Sequence, residues 1–241
     1  MLSKNQIKLI TSLKLKKYRD THGLFVVEGV KGVSELLESN FKLYHLYETK
    51  SDFINATSKR RQISEKDLQK ISFLNTSNSV LAIFEKPENR ELKFEGLTVV
   101  LNTIGDPGNL GTIIRLCDWF GISNLVCSIG TVDCFNPKVI QATMGSITRV
   151  NIVYKDLELF LKSQQDLPIF GAFMDGVNVY KMTDLPKDGI LILGNEANGI
   201  SNKIENLVTD RISIPRFGNL KATESLNVAT ATAILLSEFK R

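Results

Sequence analysis

The sequence has 241 residues, 43% hydrophobic and 23% charged, with 30 Lys and Arg against 26 Asp and Glu for a formal net charge of +4. A chain of this length buries an adequate core without disulfide or metal staples. No apolar run approaches the roughly 20 residues that span a bilayer, so a membrane protein is excluded. The first twenty residues interleave lysines with isolated apolar residues, and no secretory signal is expected. Cys117, Cys127 and Cys134 are odd in number, and their spacing fits neither a zinc pattern nor a disulfide framework. They are expected to be reduced thiols of a cytoplasmic protein that binds no metal.

In chain order, Ile7, Ile10 and Leu13 recur at helical spacing and predict one helix over Asn5–Arg19. Leu24–Glu28 reads as a strand closed by Gly29. A second helix carries Val33, Leu36 and Leu37. Leu43–Tyr47 and Ser79–Phe84 read as strands, separated by a short helix over Ser64–Leu74 with Ser64 at its cap. The polar stretch 85–90, with Pro87, is the candidate linker, which divides the chain into domains of residues 1–90 and 91–241. Beyond it, apolar strands are predicted at Leu97–Leu101, Asn124–Cys127, Pro168–Ala172, Gly189–Leu193 and Arg211–Ile214. Helices fall between or after them, at Leu110–Phe120, Pro137–Met144, Leu157–Lys162 and Ser225–Phe239. Continuously apolar strands alternating with helices predict an α/β fold whose parallel sheet is covered on both faces. The charge follows the division. Residues 1–90 hold 16 Lys and Arg against 10 Asp and Glu, and residues 91–241 hold 14 against 16. A basic front module suggests a polyanionic partner, nucleic acid first among them.

Three loops carry the chemistry. The first, Asn102–Gly111, runs into a helix that presents Arg115 away from its apolar stripe, with Asn109 as the expected cap. The second, Gly194-Asn195-Glu196-Ala197-Asn198-Gly199, follows a strand directly, as ligand loops of α/β proteins do. Ile200-Ser201 stands where a phosphate loop requires Lys-Ser/Thr, which disfavours a nucleotide triphosphatase, and no dinucleotide fingerprint is present. The third runs from the strand Ile212-Ser213-Ile214-Pro215 to Glu224-Ser225-Leu226-Asn227, with Ser225 or Thr223 as the expected cap of the last helix.

Together the loops read D-P-G-N-L-G-T-I-I-R, L-G-N-E-A-N-G-I-S and I-P-R-F-G…E-S-L-N-V-A. In this order they resemble the three signature motifs of the SpoU/TrmH family of RNA ribose 2′-O-methyltransferases, within the SPOUT superfamily. The segment Gln141–Ser146 is similar to the stretch joining the family's first two motifs. Phe25–Lys31 with Glu35–Ser39 resembles the small L30e-like substrate-binding domain often fused to it. The resemblance implies an N-terminal L30e-like α/β domain and a C-terminal α/β domain closed by a deep trefoil knot. It also implies a homodimer, S-adenosylmethionine as cofactor, and an RNA substrate. By position, Gly194, Ile214 and Leu226 would contact the cofactor, and Asn109, Arg115, Glu196, Ser225 and Asn227 would form the catalytic, RNA-facing set. The loop 216–223 is longer than the family's common version, and it carries Arg216 and Lys221 as candidate phosphate contacts.

The two-domain layout favours ribosomal over transfer RNA. A non-catalytic RNA-binding protein with a vestigial methyltransferase fold is the reading from another class, and the intact motif residues argue against it. The only histidines, His22 and His45, lie in the front domain, so the usual imidazole base is missing from the catalytic one. The family assigns the base to the arginine matching Arg115. A guanidinium gives up its proton too reluctantly to serve readily as a base, so stabilisation of the developing alkoxide and a neighbouring phosphate is the expected role. Removal of residues 1–90 is expected to lower RNA affinity far more than cofactor affinity.

Overall fold

The computed structural model describes residues 1–53, 58–88, 91–92, 95–164, 166–218 and 225–241. The chain forms two compact units. One comprises Met1–Asn89 with Asp133–Thr148, the other Arg90–Val132 with Arg149–Arg241.

The first unit is built on a four-stranded sheet in the order β1-β4-β2-β3, with β1 Leu24–Glu28, β2 Leu43–Glu48, β3 Arg60–Gln62 and β4 Val80–Glu85. β4 pairs antiparallel with both β1 and β2, and β3 runs parallel to β2. Helices α1 Lys4–Ser12, α2 Lys16–His22, α3 Val30–Leu37 and α4 Glu65–Ile71 complete its front part. Ile10 and Leu13 pack into the core with Val26, Leu68, Leu81 and Ile83. Ser64 caps α4 as expected, accepting from the Asp67 amide.

The single helix expected over Asn5–Arg19 is instead two. The chain breaks after Ser12 because the buried Arg19 guanidinium donates to the carbonyls of Leu13 and Lys14, each at 2.9 Å. Nε and Nη2 of Arg19 reach Asp133 at 2.9 and 2.7 Å. Asp133 opens the segment 133–148, which carries α6 Pro137–Thr143. This segment belongs to the first unit: Phe135 packs against Phe25 at 4.7 Å between ring centroids, and α6 packs on β1.

The second unit is a six-stranded sheet in the order β10-β8-β9-β5-β6-β7, parallel throughout. Its strands are β5 Leu97–Asn102, β6 Asn124–Ser128, β7 Asn151–Lys155, β8 Ile169–Asn178, β9 Gly189–Gly194 and β10 Asp210–Ser213. Helices α5 Pro107–Trp119, α7 Leu157–Lys162, α8 Asn202–Glu205 and α9 Val228–Phe239 cover it. The central strands β5 and β9 are buried almost end to end, as their continuous apolar runs require. β7 was not expected. It is an edge strand whose residues are mostly half-buried, so its apolar signal is weak.

None of the three cysteines forms a disulfide. All are buried, and burial pushes the Cys117 thiol up to about 12. Among the described residues, no helix is long and apolar enough to cross a membrane.

Candidate active site

Strand order reverses between β5 and β9. From β5 the chain moves outward through β6 and β7, then returns to the other side through β8 and β9. Crevices beyond the carboxyl ends at such a switch point are where open α/β sheets bind ligands. The loop after β5 opens α5, and the loop after β9 is the ring Gly194–Gly199.

The two loops are bound to each other. Asn195 donates through Nδ2 to the Thr103 carbonyl at 2.7 Å, and the Ser201 amide donates to Asn102 Oδ1 at 2.8 Å. Thr103 itself is held at φ 65°, a left-handed conformation that strains a β-branched residue. Its amide is fixed by Ser128 Oγ at 2.9 Å. Strain held in place by surrounding bonds is a feature of functional loops. The ring after β9 is closed by paired backbone bonds between Asn195 and Gly199, and Asn195 Oδ1 accepts from the amides of Ala197 and Asn198. A Cβ at Gly194 would meet the Gly199 carbonyl carbon at 2.2 Å, so this position tolerates only glycine.

Three candidate residues, far apart in the chain, meet here. Asn109 donates through Nδ2 to Glu196 Oε1 at 2.7 Å, and Asn227 donates through Nδ2 to Asn109 Oδ1 at 2.9 Å. Asn227 Oδ1 accepts from the amides of Ala229 and Thr230, at 3.0 and 3.3 Å. A carboxylate only accepts, so Glu196 dictates which way the Asn109 amide faces, and that in turn orients Asn227. The result is a one-directional relay from the amino terminus of α9 to a carboxylate. Each bond polarises the next, and the positive helix end supports the negative charge at the far end.

Two expected caps are corrected. Asn227, not Ser225, caps α9, and Thr223 lies outside the described residues. Asp106, not Asn109, caps α5, accepting from the Asn109 amide at 2.8 Å with Pro107 in the first turn. Relief from capping leaves the Asn109 side chain for the relay.

The other candidates are outside this network. Arg115 is exposed, six residues beyond Asn109 on α5, about 9 Å along the axis and about 120° around it. Ser225 and Leu226 are exposed, and Ile214 is half-buried beyond the carboxyl end of β10. Arg216 is exposed, while Lys221 lies outside the described residues. α9 packs on α5, with its small residues Ala229 and Thr232 buried. The residues that the sequence did not single out are Asn195 and Asn102, the loop-to-loop clamps. Their only signal is the placement of an amide side chain directly at a strand end.

Residues 96–237 match the SpoU rRNA Methylase family, and residues 4–82 match the MRM3-like substrate binding domain. The chain is 28% identical over 242 residues, 97% of this chain and 96% of the relative, to the 23S rRNA (guanosine(2553)-2′-O)-methyltransferase RlmP of Bacillus subtilis. Among solved structures it resembles a protein described as an RNA methyltransferase of the TrmH family from Porphyromonas gingivalis. That similarity has a TM-score of 0.90 and 39% identity, over 100% of this chain and 98% of that one. It also resembles an AdoMet-bound rRNA methyltransferase from Sinorhizobium meliloti, with a TM-score of 0.87 and 28% identity over 99% and 96% of the two chains.

Proposed function

Since the chain belongs to the SpoU rRNA Methylase family, we propose that it transfers a methyl group from S-adenosylmethionine to a ribose 2′-hydroxyl of ribosomal RNA. The observation that carries the reading is the relay Asn227–Asn109–Glu196 at the sheet's switch point, where three sequence motifs converge. Ribosomal RNA is favoured by the names of the relatives and by the front unit, whose first 90 residues carry the excess positive charge.

The residues fit the cofactor. Leu226 is an apolar side chain left 47% exposed immediately before Asn227, which suits the face of an adenine ring. Half-buried Ile214 offers further apolar surface. Gly194, which has no room for a side chain, leaves backbone as the only surface it can present. These three would hold the cofactor, which when bound supplies an electrophilic sulfonium methyl.

The chain's own work is positioning and charge stabilisation. The Arg115 guanidinium opposes the developing alkoxide and its flanking phosphate. The relay fixes the loop after β9 relative to the start of α5, and so fixes the site's floor. Ser225 supplies a neutral hydroxyl beside it. We also read the protein as a cytoplasmic homodimer whose second and third motif segments form a trefoil knot, and its domains as an L30e-like front and a methyltransferase rear. Family membership supports these readings.

Asn109→Asp preserves shape and the acceptor facing Asn227, but removes the donor to Glu196 and sets like charges together. Turnover is expected to fall about 10- to 100-fold, with cofactor affinity by calorimetry retained. Unchanged turnover would reduce the relay to loop packing.

The proposed activity is tested with labelled S-adenosylmethionine and ribosomal RNA from a strain lacking the gene. Label is expected on a ribose 2′-hydroxyl. Label appearing only in transfer RNA would move the substrate class, and a folded protein that fails to bind the cofactor would overturn the enzymatic reading.

A further inference from the structure

The second unit leaves two aromatic rings in the open. Phe217 is 82% exposed and Tyr180 40% exposed, and their rings stack with centroids 6.4 Å apart and planes 25° from parallel. Their place is set by topology. Tyr180 lies in the short 3-10 turn Val179–Lys181 directly after β8, and Phe217 lies just beyond the end of β10. Neighbouring β8 and β10 run parallel to each other and to β9 and β5. The aromatic pair therefore stands on the same carboxyl edge as Asn109 and Glu196. At about 4.8 Å per strand, β8 is one spacing from β9 and β10 two, roughly 5–10 Å along the sheet.

Each ring has a cationic neighbour in sequence, Lys181 after Tyr180 and Arg216 before Phe217, both exposed. A solvated phenylalanine forfeits its burial energy, and Phe217 has no polar atom to offset that loss. Stacked rings interleaved with cations are what single-stranded nucleic acid binds. A base lies on the ring face and the cations track the backbone. Bases splayed from RNA are recognised in this way.

We propose that Tyr180 and Phe217 form a stacking platform for a splayed base of the substrate RNA, at or next to the nucleotide whose ribose is methylated. This rests on the RNA methyltransferase reading and adds a positioning role beyond those of Asn109, Arg115, Glu196, Ser225 and Asn227.

The test uses the full-length protein, unmethylated ribosomal RNA from a strain lacking the gene, and labelled S-adenosylmethionine. Phe217→Ala is expected to raise KM for RNA on the order of tenfold with kcat little changed. Phe217→Trp is expected to restore it. The salt dependence of RNA binding should keep its slope, since the lost contact is not ionic. Filter binding of the same RNA is measured alongside. Unchanged affinity in Phe217→Ala overturns the platform even if the wild type methylates nothing, whereas absence of wild-type methylation with a binding defect intact overturns only the activity. An equal loss of cofactor affinity would make Phe217 a wall of the cofactor site. Conversion of a dimer to a monomer in sedimentation would make it an interface residue. Either result overturns the proposal.

Discussion

Asp133→Ala lowers the unfolding free energy of the first unit by about 3 kcal/mol, the scale expected when one partner of a buried ion pair is removed. The reason is geometric. Arg19 is 1% exposed and Asp133 8%, and a single carboxylate oxygen takes both Nε and Nη2. The other oxygen accepts from the Phe135 amide at 3.1 Å. Truncation leaves a charged guanidinium in the interior with the Leu13 and Lys14 carbonyls as its remaining partners among the described residues. Arg19→Met in the same background should recover much of the loss, because the uncompensated charge goes with it. The reporter must be chosen with care. The sole tryptophan, Trp119, ends α5 in the other unit and is 84% exposed, so its fluorescence is blind to the event. Amide hydrogen exchange across β1 and α2 is the suitable measurement. A loss below about 1 kcal/mol would mean that water or backbone compensates Arg19 fully.

Arg115→Ala is expected to lower kcat/KM for RNA by about 100-fold or more, the usual effect of removing one donor aimed at developing negative charge. Arg115→Lys should recover little of it. An ammonium keeps the charge but loses the planar fork that spans an alkoxide and a phosphate oxygen together. Cofactor binding should be the same in both variants. The side chain is exposed, so neither change threatens the fold. Near-normal turnover of the lysine variant would remove both the bidentate role proposed here and any role as base.

How much of this was legible beforehand divides by range. The strands of the second unit other than β7 announced themselves, β5 and β9 most clearly because they are apolar on both faces, and the parallel sheet followed from their alternation with helices. Local chemistry was legible but misread at two caps. Asp106-Pro107 is itself a cap followed by a first-turn proline, yet the cap was expected at Asn109. β8 runs on to Asn178, past its half-buried and exposed residues, where no apolar run marks it. What no local pattern reveals is pairing at a distance. Asn109 meets Glu196 across 87 positions and Asn227 across 118. The motif resemblance named these residues together, but their hydrogen-bond direction came only from geometry. Arg19 and Asp133 are 114 positions apart, and no motif joined them. That pair also alters one expectation. Deleting residues 1–90 removes the packing partners of residues 133–148 along with the basic front, so a truncated protein does not isolate RNA affinity from stability. Point substitutions do.

The split composition of the first unit carries a consequence for synthesis. Residues 133–148 complete it, yet they emerge only after β5, α5 and β6 of the other unit. A domain encoded first would ordinarily fold first as the chain leaves the ribosome. Here Arg19 lacks its carboxylate and Phe25 lacks Phe135 until more than half of the chain is made. A stall in translation between residues 90 and 133 would therefore leave the front half with its apolar core complete but without the partners of Arg19 and Phe25.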